Sequence, residues 1–134
     1  MSDAWFQYYG LKPLAEAANV PVIFIAPEAI DSWNETDHAL FDDVTDFVKA
    51  ELCVDTTRVF VTGMSFGGMI TYSLSTNHQK SFRAGIAMGP ANFNIYLPDP
   101  RLHEPIAWMQ STGMSDGTTP WDSGGGRGAK YIAL

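Results

Sequence analysis

The chain has 134 residues, enough for one domain with a modest core, and 46% of them are hydrophobic, as in a globular protein. Its formal charge is −7 with the acids scattered, which argues against nucleic acid or an anionic membrane as a partner. No segment reaches the ~18–20 apolar residues of a membrane span, and no apolar stretch of signal-peptide type follows Met1, so no signal peptide is expected in this chain.

In chain order, Trp5, Tyr8, Tyr9, Leu11, Leu14, Ala15 and Ala18 recur at mostly helical spacing, interrupted by Gly10 and Pro13. This predicts a helix that is firm after Pro13, with the aromatic residues in the core. Pro21–Pro27 is a continuous apolar run between prolines and reads as a strand buried on both faces. A loop over Glu28–Glu35 carries Asp31, Ser32 and Trp33. Leu40, Phe41, Val44, Phe47, Val48 and Leu52 then mark one face of an amphipathic helix from about Thr36 to Cys53. Cys53 is the one cysteine, so it closes no internal disulfide; it reads as a buried apolar filler or as half of a disulfide whose partner is not in this chain.

Val59–Met69 is the stretch around which the rest is organised. A β-branched run feeds Gly63-Met64-Ser65-Phe66-Gly67, and helical spacing follows through His78. A Gly-x-Ser-x-Gly motif between a strand and a helix is a sharp turn that lifts a serine oxygen above a parallel sheet. Gly63 and Gly67 are expected to lack side chains because either would collide with the neighbouring strand or helix. The backbone N–H of Phe66 faces the same place and is a ready oxyanion donor.

Phe82–Met88 is the next predicted strand, Gly89–Glu104 a loop, and Pro105–Ser111 a further strand. Asp122–Gly128 reads as turn or linker and Lys130–Leu134 as the start of a helix. Strands alternating with helices give an α/β fold of about four parallel strands with flanking helices, in a single domain over residues 1–134. Ligands of such a sheet gather at the carboxyl ends of the strands. Three loops should meet there: Glu28–Glu35, the Ser65 turn, and Thr112–Asp122.

Asp116 follows the last strand and so falls on the same edge as Ser65. In acyl transfer a carboxylate orients a histidine, and the histidine takes the serine proton. Ser-Asp-Gly is also ordinary turn chemistry, and both readings of Asp116 stand. No histidine follows Asp116. His78 lies thirteen residues beyond Ser65, roughly 20 Å along a helix. His103 precedes the last strand, near the opposite edge. His38 is on the correct edge but reads as a water-exposed helix N-terminal residue. No cluster supports a metal, a nucleotide or a nucleic acid.

The sequence resembles the secreted feruloyl esterases of filamentous fungi, within the polyhydroxybutyrate-depolymerase-like esterases. The matching residues are Tyr9–Glu16, Phe24–Trp33, Asp42-Asp43-Val44 with Phe47-Val48, Glu51–Phe60, Gly63–Met69 and Gly113–Gly117. The resemblance implies an incomplete α/β-hydrolase that cleaves ferulate esters of arabinoxylan or a small aromatic ester, outside the cell and without a cofactor or metal. Ser65 would be the nucleophile and Asp116 the acid, while Trp33 and Phe66 would line the phenolic pocket; Trp33 could equally cap the core. It also implies a His-Gly loop with a cysteine before this chain and a histidine beyond it, with Thr112 where relatives carry histidine. The chain then reads as a fragment or a shortened gene product, and Cys53 as an orphaned half-cystine. Acetylxylan and polyhydroxybutyrate esters remain as alternative substrates, and a non-catalytic binding fragment or a purely structural or non-functional product as alternative roles.

Overall fold

The computed structural model describes residues 9–90 and 106–119. The expectations for Trp5, Tyr8, His103, Asp122–Gly128 and Lys130–Leu134 lie outside those residues. Contacts divide the chain into two units, Met1–Asp31 and Ser32–Leu134.

In the first unit, α1 spans Leu11–Ala17. Pro13 is tolerated because it sits in the first turn, where a missing N–H breaks no intrahelical bond. The helix ends on Asn19 at φ 52°, with Asn19 N–H donating to the Glu16 carbonyl and Val20 N–H to the Ala15 carbonyl, each at 3.0 Å. Those two bonds are a Schellman cap, with asparagine in the left-handed position. The strand expected over Pro21–Pro27 does not form. A strand exists only as part of a ladder, and apolar composition cannot supply its neighbours. Val22, Ile23 and Ile25 are 47–52% exposed here, so the burial on both faces that the run implied is also missing.

The second unit opens with a capped helix. Asn34 accepts from Thr36 N–H at 2.9 Å, and its own N–H donates to the Asp37 carboxylate at 2.7 Å. This reciprocal pair starts a 3-10 turn over Glu35–Asp37, which runs into α2, His38–Glu51. Leu52 turns extended and ends it. Asp55 then accepts from the Thr57 N–H and hydroxyl, forming the turn into the sheet.

Among the described residues the sheet has three strands, β1 Phe60–Met64, β2 Ala84–Met88 and β3 Ala107–Ser111, in that order and all parallel. The register is uninterrupted: Met64 lies beside Met88, and Met88 beside Ser111. Parallel neighbours need a crossover, and between β1 and β2 it is α3, Phe66–Asn77. Nine consecutive residues of α3, Gly68 to Thr76, are buried, so the helix is covered on every face although it carries Thr71, Ser73, Ser75 and Thr76. Two of its buried hydroxyls bond back to its own backbone: Ser75 and Thr76 both donate to the Tyr72 carbonyl, at 2.8 and 3.0 Å.

Ile70 and Leu74 of α3 meet Val61 and Phe82 in the core, flanked by Trp33, Phe41 and Val59. On the next strands Tyr72 stands edge-on to Trp108, with ring centroids 5.6 Å apart. The Trp108 ring lies over Gly85, where a Cβ would come within 2.7 Å of it. The residues alternating away from that face are more open, with Phe60 61% and Met109 59% exposed.

Candidate active site

All three strands run the same way, so Ser65, Gly89 and Thr112 leave the sheet at one edge. Ser65 sits between β1 and α3 at φ 53°, ψ −119°. That backbone state costs a non-glycine residue about 1–3 kcal/mol and persists only where its surroundings enforce it. Two bonds enforce it: Ser65 N–H donates to the Met88 carbonyl at 2.9 Å, and the Ser65 carbonyl accepts from Met69 N–H at 3.0 Å. The turn is also sterically closed beneath the serine. A Cβ on Gly63 would overlap the carbonyl of Gly67 and lie 2.9 Å from its Cα. Ser65 is partly exposed, and Phe66, beside it, is 42% exposed. Phe66 is also the first residue of α3, and first-turn N–H groups present a partial positive charge toward an anion.

Asp116 is held on the same edge by a different device. Its Oδ1 accepts from the N–H groups of Thr118 and Thr119, and its Oδ2 accepts from the Thr119 hydroxyl, each at 2.8 Å. The Thr119 N–H and hydroxyl, then the Thr118 N–H, hold the Asp116 carboxyl below its usual range. These three bonds favour the ionised form of Asp116.

Gly89 joins the two halves. It follows Met88, which anchors Ser65, and its own N–H donates to the Ser111 carbonyl at 2.6 Å. At φ 49°, it stands where a Cβ would lie 3.3 Å from Thr119 Oγ1 and 3.6 Å from Asp116 Oδ2. The serine turn and the acid loop thus rest on consecutive residues, Met88 and Gly89. The sequence reading missed Gly89, whose left-handed φ shows only once the strand ends are known. It also missed Thr119, although an aspartate with a threonine three residues on is a legible side-chain-to-backbone capping pattern.

Other expectations need correction. Gly67 has open space where its Cβ would be; the close approach is at Gly68, 3.2 Å from the Met88 carbonyl and from Pro90 Cα. His38 is not water-exposed but buried, at 8% exposure. It is drawn inward by Ser73 on α3, bonded to its Nε2 at 2.9 Å. Cys53 is exposed and free rather than buried, because α2 ends before it on an extended Leu52. Trp33 packs on Phe41 with centroids 5.3 Å apart and against the core, its core-capping option.

The model of the prolyl oligopeptidase family matches residues 30–123. The chain belongs to this family. The match begins ahead of α2 and takes in both Ser65 and Asp116, so the family's α/β-hydrolase fold accounts for the parallel sheet, the crossover α3 and the serine turn together. Curated relatives agree with the resemblance to fungal feruloyl esterases. A probable feruloyl esterase C of Aspergillus clavatus is 33% identical over 129 residues, 93% of this chain and 45% of the relative. Feruloyl esterase C of Emericella nidulans is 32% identical over 132 residues, 91% of this chain and 44% of the relative. Feruloyl esterase D of Neurospora crassa is 32% identical over 114 residues, 82% of this chain and 38% of the relative. The chain therefore spans less than half the length of these relatives, and what it holds is part of a hydrolase of this family.

Proposed function

We propose that the chain carries the nucleophile and the acid of a serine carboxylic-ester hydrolase that releases ferulic acid from feruloylated arabinoxylan, or acts on a small aromatic ester, outside the cell. The observation that carries this reading is Ser65 held at φ 53°, ψ −119° between a parallel strand and a helix. Ser65 Oγ attacks the ester carbonyl carbon, and its proton passes to a base. The carbonyl oxygen becomes an oxyanion facing the Phe66 N–H. The oxyanion then collapses to a carbonyl as the bond to the alcohol breaks, the alcohol takes the proton from the base, and water attacks the resulting acyl–serine, releasing the acid and restoring the hydroxyl. Asp116, kept ionised by Thr118 and Thr119, orients that base and stabilises it when charged. Phe66, exposed beside Ser65, supplies an aromatic face for the phenolic ring, while Trp33 is engaged with Phe41 and the core. No step requires a cofactor or a metal.

The base is not assigned to His38 or His78, which are engaged with Ser73, with each other and with Asp42. That engagement favours a second reading, in which the chain binds an aromatic ester without turning it over. The discriminating experiment follows ferulate release from methyl ferulate by the protein and by Ser65→Ala, with added imidazole to serve as the proton acceptor. Release that disappears in the variant supports the hydrolase, whereas binding of methyl ferulate with no release supports the second reading.

A further inference from the structure

Away from Ser65 and Asp116, four polar side chains form one unbroken row between α2 and α3. Ser73 Oγ lies 2.9 Å from His38 Nε2. His38 Nδ1 lies 3.2 Å from His78 Nε2. His78 Nδ1 lies 3.0 Å from Asp42 Oδ1. His38 and Asp42 belong to α2, Ser73 to α3, and His78 closes α3. Ser73 is 1% exposed and His38 8%, so the inner end of the row is shut off from water.

Donor and acceptor counting fixes the direction of the row. Asp42 can only accept when ionised, so His78 donates to it from Nδ1. A neutral His78 then accepts at Nε2, and His38 must donate from Nδ1. His38 in turn accepts at Nε2, and the Ser73 hydroxyl donates to it. With one proton added to the imidazole pair, every contact survives: His78 still donates from Nδ1 to Asp42, while the other two contacts reverse, His78 donating from Nε2 to His38 Nδ1 and His38 from Nε2 to Ser73. With two protons, His38 Nδ1–H faces His78 Nε2–H. Two donors meet, and two cations sit with ring centroids 4.9 Å apart.

We propose that His38, His78, Asp42 and Ser73 are a proton-operated clamp between α2 and α3, shut with no proton or one proton on the imidazole pair and released by the second. The charged groups that face His38 are His78, Asp42 and Asp37, and Lys80 follows in the turn after α3. Burial first, then His78, holds the His38 imidazole below its ordinary value, while Asp42 and Asp37 oppose this less strongly. A histidine lowered on folding binds its proton more readily in the unfolded chain. The stability it lends is complete above the unfolded value of about 6.5 and drains away as pH falls from there through the lower folded value.

The test is thermal unfolding of the full chain, followed by circular dichroism from pH 8 down to pH 5, for the native protein and His38→Gln. The native Tm should fall by several degrees across the acid half of that range, and His38→Gln should flatten the fall. An equal fall in His38→Gln overturns the proposal. Should His38→Gln not fold, imidazole nitrogen NMR of the native protein at pH 8 decides. For the neutral pair, with one hydrogen on each ring, both hydrogens are expected on Nδ1; a neutral pair with its hydrogen on Nε2 of either ring overturns the proposal.

Discussion

Gly63 and Gly67 flank Ser65 symmetrically in sequence, yet the structure makes them opposites. A Cβ at Gly63 would overlap the Gly67 carbonyl group and lie 2.9 Å from Gly67 Cα. Those are backbone atoms of the first turn of α3, so no rotamer change can relieve the overlap. Gly63→Ala should therefore cost at the top of the usual overpacking range, about 3 kcal/mol. A domain stable by about 5–15 kcal/mol would keep its fold, but at roughly 4 °C per kcal/mol Tm should drop by about 10 °C. At Gly67, nothing lies within 4 Å of the added carbon, and the residue is helical. Gly67→Ala should be neutral or stabilising by up to about 1 kcal/mol, because alanine favours the helix. Urea and thermal melts of both variants measure the contrast. Equal losses, or a larger loss at Gly67, would refute the assignment of the steric contact.

Ser65→Gly should raise stability by about 1 kcal/mol, since glycine adopts the strained backbone freely, while removing all reaction at this position; a melt shows it, and a loss of stability would speak against backbone strain at the turn. Thr119→Val removes the hydroxyl on Asp116 Oδ2 and should move the carboxyl titration upward, read by carbon-detected NMR. The sign for pH follows: a carboxyl lowered on folding adds stability above its unfolded value of about 3.9, lost as pH falls through the folded value, so the native acid loop should loosen only below about pH 4. Gly85→Ala drives a methyl within 2.7 Å of the Trp108 ring; Tm should fall and Trp108 fluorescence should shift as the ring leaves Tyr72.

What could be read from the sequence was what is settled locally. The serine turn declares itself because its steric lock is local, Gly63 closing against the backbone of Gly67, although the bond from Ser65 N–H to the Met88 carbonyl that completes it comes from distant chain. The α2 helix follows from the spacing of Leu40, Phe41, Val44, Phe47 and Val48, which needs no knowledge of the partner. What failed depends on distant chain. Pro21–Pro27 has a strand's composition, but a ladder needs neighbours that its own side chains cannot specify. His38 reads as a surface residue until Ser73, thirty-five positions later, is placed against it. Gly89 has no marker before the ends of β2 and β3 fix its left-handed turn beneath Asp116. Asp116 was legible as an edge carboxylate, while its fixing by Thr118 and Thr119 emerged only from the folded loop.

The central claim is that Ser65 is held as a nucleophile at the edge where Asp116 also lies. It is tested most directly by treating the protein with a fluorophosphonate in the presence of added imidazole, which supplies a proton acceptor, and mapping the adduct by peptide mass spectrometry. The reaction forms an Oγ–phosphorus bond, expels fluoride and hands the hydroxyl proton to imidazole. A single adduct on Ser65, slowed by methyl ferulate and missing from Ser65→Ala, is the predicted result. No adduct at Ser65, or the same labelling in Ser65→Ala, would contradict the claim.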